Sequence, residues 1–374
     1  MKKFIAILLA LVMLLALTAC GQTSNASATE ASEPTVSPEP TPIPNPSELF
    51  LNTPILEDAP YASESDQPGT IVSLSYETRA YALEELYPDA GEIVVEKEMN
   101  VYLPYGYSEE QQYNVFLLLH GSGQNEDYWF AQDDFTEQKD STVTYGRIGN
   151  ITQNILDNLI RDGTIEPMIV VTATYYASHD AEVNYGTAEY PGCIGEGDAE
   201  QKADYAGSFW KEIRRSILPV ICENFSTYAE GSTEENIVAA RDHFAYAGLS
   251  LGSKTGFASA FLNCADCFSY IGNYSAGTSE EIYNAIIADF SAGGRYADYK
   301  MHYWYNGCGE WDTLIKGQKE TYQAITSALP EMFTEGDNIA AGDNCWFNVH
   351  LEGGHEYWCW VADFYNSLQV FFKA

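Results

Sequence analysis

The chain has 374 residues, with 54 acidic against 18 basic side chains and a formal net charge of −36. A body this acidic repels phosphate backbones and anionic headgroups, which excludes nucleic acid as a partner and simple electrostatic adsorption to a membrane. Its length suffices for one large α/β core, and no second linker divides that core.

Lys2 and Lys3 precede an apolar run from Phe4 to Leu17 that ends in Leu17-Thr18-Ala19-Cys20. A basic start, a short apolar core and small residues before a cut read as a signal peptide over residues 1–19, too short to span a bilayer comfortably. The Leu-Thr-Ala-Cys ending resembles the lipobox of bacterial lipoproteins. It implies a lipid on Cys20 that holds the mature protein on the outer face of the cell membrane; an ordinary signal peptide cut nearby is the alternative. Residues 20–66 are rich in Ser, Thr, Pro and Glu and read as a disordered tether, with an apolar stretch from Leu49 that can lie against the body.

The folded body is expected over residues 67–374. Ile71 to Tyr76 and Glu92 to Leu103 alternate apolar and polar residues, as half-buried strands at an antiparallel edge do. Val115 to Leu119 and Met168 to Thr172 are continuous apolar runs, the pattern of strands covered on both faces. Helical spacing marks Ile151 to Ile160 and Phe209 to Phe225, the latter despite Pro219. After a strand near Phe244 to Ala247 and a helix over Ser253 to Leu262 come strands near Phe268 to Gly272, His302 to Tyr305 and Trp346 to Leu351. Helices near Glu280 to Ile287, Thr313 to Leu329 and from Tyr357 alternate with them. Strands alternating with helices predict a mostly parallel sheet with helices on both faces and ligands beyond the carboxyl ends of its strands.

Between a strand and a helix stands Gly248-Leu249-Ser250-Leu251-Gly252. A serine on so sharp a turn needs glycines two residues to either side and lies where free helix N–H groups favour an oxyanion, so Ser250 is the candidate nucleophile. Its base belongs in a loop at the same sheet edge, and His355 follows Glu352-Gly353-Gly354 directly after the last strand. The acid belongs after the strand between them, in Asn306 to Asp312. Asp312 is preferred, Glu310 is a rival, and Asp312 as a plain helix N-cap remains open. His120-Gly121-Ser122-Gly123 ends an earlier buried strand, so Gly121 and Ser122 are nominated as oxyanion donors with Leu251. Cys193, Cys222, Cys264, Cys267, Cys308, Cys345 and Cys359 fit neither a zinc pattern nor a defined disulfide set, and no metal or organic cofactor is expected.

Lys97 to Tyr107, Val115 to Gly123, the serine turn, Cys308-Gly309-x-x-Asp312 and Gly353-Gly354-His355 stand in one order along the chain. Together they resemble the esterase D-type group of α/β-hydrolases, which includes feruloyl esterases of carbohydrate esterase family 1. That resemblance implies an α/β-hydrolase fold and Ser250, Asp312 and His355 as a triad. It also implies an aromatic cluster at the substrate site, matched by Trp129, Tyr357 and Trp360. Core packing is the competing role for each of these rings. The implied activity is hydrolysis of cell-wall polysaccharide esters, feruloyl arabinoxylan first. Acetyl-xylan or siderophore esters, or a non-catalytic carbohydrate-binding lipoprotein on the same scaffold, are the alternatives. Tyr175 to Tyr205 is a long segment with no assignable role.

Overall fold

Every second side chain of strand β3 (Asn114–Leu119) enters a different core. Val115, Leu117 and Leu119 join one apolar cluster, whereas Phe116 and Leu118 join the other. Two-faced burial of this kind follows from the period of two along a strand in a sheet covered by helices. The computed structural model describes residues 49–52, 61–138, 143–179 and 203–373, with backbone alone over 135–138 and 143–147. The signal peptide, Cys20, most of the tether, Cys193 and most of the 175–205 segment lie outside the described residues.

Eight strands form the main sheet in the order β1-β2-β6-β3-β7-β8-β9-β10. They are β1 (Thr70–Arg79), β2 (Val94–Leu103), β3, β6 (Met168–Thr172), β7 (Phe244–Leu249), β8 (Tyr270–Tyr274), β9 (Tyr303–Gly309) and β10 (Cys345–His350). β1 and β2 pair antiparallel and β2 pairs antiparallel with β6, while the remaining pairs are parallel. This is the α/β-hydrolase architecture expected from the alternating pattern, antiparallel edge included. The order also puts the carboxyl ends of β3, β7, β9 and β10 on one rim.

The sequence reading missed a second sheet of β4 (Phe135–Gln138), β5 (Val143–Arg147) and β11 (His355–Glu356). β11 pairs in parallel with β5, His355 opposite Val143, so this sheet fixes the backbone of the histidine loop. Its available signal was the β-branched, alternating composition of β5. The helix expected around Pro219 forms as Tyr205–Glu212, a π turn over Ile213–Ile217, and Leu218–Asn224. Proline lacks an N–H and its ring crowds the carbonyl four residues back, and widening the preceding turn relieves both. The helix after Ser250 also passes into a π turn, over Gly256–Phe261. Ser259 there accepts from the Trp210 N–H and donates to Ala206 O, locking the two helices together.

The tether's predicted end at residue 66 needs correction. Phe50 is buried with its ring edge-on to Tyr305 at 5.4 Å, and Leu51 exchanges hydrogen bonds of 2.8 and 2.9 Å with the Asn366 side chain. Leu351 N–H donates to Asn52 O, and Asn158 reaches the carbonyls of Tyr61 and Ser63. The body therefore draws in residues well before 67, because the outer face of β9 and β10 is apolar and must be covered. The thiols of Cys222, Cys264, Cys267, Cys308, Cys345 and Cys359 are free.

Candidate active site

β7 ends at Leu249, and Ser250 takes φ 51° and ψ −113°, a backbone state rare for a residue with a side chain. The glycines at plus and minus two permit it. A Cβ on Gly252 would stand 2.4 Å from His120 O, and one on Gly248 would stand 2.6 Å from the Gly252 backbone. The strained turn lifts the Ser250 hydroxyl above the rim of the sheet.

β9 and β10 are neighbours in parallel register with Gly309 opposite His350, so the acid-bearing and base-bearing loops leave adjacent strand ends. Backbone bonds join the loops: Glu310 N–H to His350 O at 2.9 Å and Trp311 N–H to Gly353 O at 2.8 Å. They approach so closely that a Cβ on Gly309 would lie 2.4 Å from Gly353 O. Glu352, at φ 59°, turns the chain into Gly353 and then His355.

These constraints bring Ser250, His355 and Asp312 together. Ser250 Oγ is 3.0 Å from His355 Nε2, and His355 Nδ1 is 2.8 Å from Asp312 Oδ2. Burial pushes the Asp312 carboxyl up, but hydrogen bonds from His355 and from Leu314 N–H outweigh it and hold the group below its ordinary value. An ionised carboxylate only accepts, so His355 Nδ1 carries the proton and Nε2 is left to accept from the serine hydroxyl. Glu310 is exposed and its carboxylate accepts from Glu352 N–H at 3.0 Å, so it braces the loop and does not meet His355.

The loop after β3 reaches the nucleophile from the other side, since a Cβ on Gly121 would lie 3.3 Å from Ser250 Cβ. One nominated donor is already engaged: Gly121 N–H donates to Gln124 Oε1 at 2.7 Å. Of the three nominated donors, that leaves Ser122 and Leu251 as candidates. Leu251 opens a helix whose first N–H groups have no intrahelical acceptors. Ser122 is directed by the peptide it shares with Gly121, whose carbonyl takes 2.7 Å hydrogen bonds from His120 Nδ1 and from Tyr175 OH. In a trans peptide the N–H points opposite to the C=O, so the two buried donors aim Ser122 N–H outward.

The His120 tautomer follows from its surroundings. Gly121 O can only accept, so His120 Nδ1 carries the proton and Nε2 is left to accept from the Thr174 hydroxyl at 2.9 Å. Burial pushes His120 down to about 3, so it is neutral at ordinary pH. Beneath it Lys97 Nζ, itself buried, bonds Thr174 O and Glu212 Oε1, each at 2.6 Å, and Tyr76 OH donates to the same Glu212 oxygen. Sequence reasoning found none of Tyr175, Thr174 and Glu212, because each acts through a residue far along the chain. A second buried pair, His350 Nε2 to Asp363 Oδ1 at 2.6 Å, also receives Tyr305 OH and backs the two joined loops. Its one sequence signal is a lone aspartate within an apolar helix.

The expected aromatic wall is not where it was placed. Trp129 is 2% exposed with its Nε1–H on Leu119 O, and Trp360 is 1% exposed with its ring edge-on to His355 at 5.0 Å. Tyr357 is buried against Tyr128, their rings edge to face at 5.8 Å. These rings pack beneath the triad because their positions face the core shared by β3 and the last helix. A cleft of about 560 Å³ instead opens next to the residues that follow Ser250 and Asp312, lined by Leu251, Ala258, Ala276, Ile282 and Leu314 and also by Asp204, Lys254 and Lys316. Leu251 follows the nucleophile and Leu314 lies two residues past the acid, so a bound acyl group would meet an apolar wall. Among the described residues no cluster of potential metal ligands occurs. The arrangement can perform acyl transfer through an activated serine.

Comparison with known proteins agrees with this chemistry. The Esterase family model matches residues 92–370. Endo-1,4-beta-xylanase Y of Acetivibrio thermocellus is 30% identical over 298 residues, covering 76% of this chain and 23% of that protein. An endo-1,4-beta-xylanase/feruloyl esterase of Xylanibacter ruminicola is 34% identical over 282 residues, 73% of this chain and 29% of that protein. The chain thus spans less than a third of either curated relative. A serine-to-alanine mutant of the feruloyl esterase module from Clostridium thermocellum, complexed with sinapinate, superposes with a TM-score of 0.64 at 25% identity, over 88% of this chain and 96% of the module. A ferulic acid esterase from Anaeromyces mucronatus, at TM-score 0.56, 19% identity and coverage of 86% and 97%, shares the fold.

Proposed function

The chain belongs to the esterase family that includes feruloyl esterases of carbohydrate esterase family 1, and from that premise we propose that it is a serine carboxylesterase that releases feruloyl groups from plant cell-wall polysaccharide. The observation that carries this reading is the Ser250–His355–Asp312 relay, with a cleft next to the residues that follow Ser250 and Asp312. The relatives' names, feruloyl esterase and xylanase, support the same substrate class.

In the proposed mechanism Ser250 Oγ attacks the ester carbonyl as His355 Nε2 takes its proton, with Asp312 holding the imidazole and stabilising the imidazolium. Ser122 and Leu251 N–H groups bind the developing oxyanion. Collapse breaks the ester C–O bond, His355 gives its proton to the departing sugar oxygen, and the acyl group remains on Ser250. A water molecule, deprotonated by His355, then cleaves the acyl-enzyme, releasing the carboxylic acid and restoring the serine. Purified protein should release ferulate from methyl ferulate, and Ser250→Ala should not. Release by that variant, or none by the native protein, overturns the proposal.

The basic start, the apolar run from Phe4 and Cys20 support a lipid-anchored location outside the cytoplasm. Metabolic labelling with palmitate should mark the native chain and not Cys20→Ala; equal labelling of both refutes the anchor.

A further inference from the structure

Among the described residues the exposed large apolar side chains are Leu49, Val94, Tyr105 and Trp311. Scattered apolar residues are ordinary on a protein surface, so exposure alone carries nothing. Trp311 differs from the other three by position and by stiffness. It directly precedes Asp312 on the loop joined to the histidine loop, and the residue is 55% exposed. Its backbone is held at three successive residues: Glu310 N–H on His350 O, Trp311 N–H on Gly353 O and Asp312 N–H on Gly309 O. A backbone so constrained is ordered before any ligand arrives, which lowers the entropy cost of presenting an apolar surface on it.

The surroundings indicate what it would take. Glu310 and Glu352 are both exposed on the two joined loops, and Glu352 N–H fixes the Glu310 carboxylate at 3.0 Å. The Trp311 indole offers an apolar platform for the C–H face of a sugar ring, and the carboxylates of Glu310, next to it in sequence, and of Glu352, on the joined loop, offer acceptors for its hydroxyls. The same two charges repel uronates and other anions. We propose that Trp311, flanked by Glu310 and Glu352, forms a subsite for a neutral sugar ring adjoining the ester. On the esterase reading, on which this rests, that ring belongs to the polysaccharide chain bearing the ester, and the subsite makes the enzyme prefer sugar-borne esters to simple alkyl esters.

The test compares kcat/KM on methyl ferulate and on a feruloylated arabinoxylo-oligosaccharide for the native protein and Trp311→Ala. The ratio of oligosaccharide to methyl ester should fall about tenfold in the variant, chiefly through KM, as loss of one aromatic contact implies. An unchanged ratio overturns the subsite. Tryptophan fluorescence of Ser250→Ala is titrated in parallel with unesterified arabinoxylo-oligosaccharide and with oligogalacturonate. The neutral sugar alone should perturb emission, and the Ser250→Ala/Trp311→Ala protein should show no such change; an equal response to oligogalacturonate, or a response surviving without Trp311, refutes the assignment. Should the native protein cleave neither ester, the esterase reading fails, and the titration still decides the subsite.

Discussion

Replacing Tyr175 by phenylalanine removes one of two donors that orient the Gly121–Ser122 peptide. The Tyr175 hydroxyl is 2.7 Å from Gly121 O and 3.4 Å from His120 O, and the ring is buried against His120 at a centroid distance of 4.4 Å. A neutral hydrogen bond contributes about 0.5–1.5 kcal/mol net, and Gly121 O keeps its bond from His120, so stability should fall by about 1 kcal/mol or less. The rate effect arises separately. Complete loss of an oxyanion donor costs about 3 kcal/mol of transition-state stabilisation. Loosening one of two clamps misaligns Ser122 N–H without removing it, and about 1 kcal/mol, a roughly fivefold fall in kcat, is expected. KM should barely move, because the oxyanion exists only beyond the ground state. Initial rates on methyl ferulate across a concentration series, with urea unfolding as the control, measure both quantities. A lowered unfolding midpoint with unchanged kcat would show that Tyr175 only packs, and the argument for the peptide clamp would fail.

Asp312→Asn should lower kcat by up to about 10,000-fold with little change in KM, since an amide leaves His355 in the wrong tautomer; near-native kcat would return the acid's role to Glu310. His120 titrates near 6.5 when unfolded and is pushed down to about 3 in the fold, so its contribution to stability is complete above pH 6.5 and is lost as pH falls toward 3. By pH 5 that loss is about 2 kcal/mol; urea midpoints at pH 7.5 and 5 should therefore differ more for the native chain than for His120→Gln, and equal differences refute the assignment. A chain starting at residue 61 should unfold at lower urea than one starting at residue 45, by about 3 kcal/mol for the lost Phe50 burial. Coincident unfolding curves would mean that the segment at Leu49–Asn52 contributes nothing.

The sequence by itself determined what depends on local spacing. Gly248 and Gly252 around Ser250, the glycines before His355 and the apolar run of β3 each mark a strand end, because sharp turns and two-faced burial restrict residue choice within a few positions. Chain order then placed these loops on one rim. Spacing preferred Asp312 but left Glu310 open, and the tertiary structure puts Asp312 against the imidazole, since both lie on one short loop and differ by which of them meets a ring some forty residues later. It likewise engaged Gly121 N–H with Gln124, sank Trp129 and Trp360 into the core and left Trp311 at the surface. Each outcome turns on a distance or a burial between residues remote in the chain, which composition and periodicity do not encode.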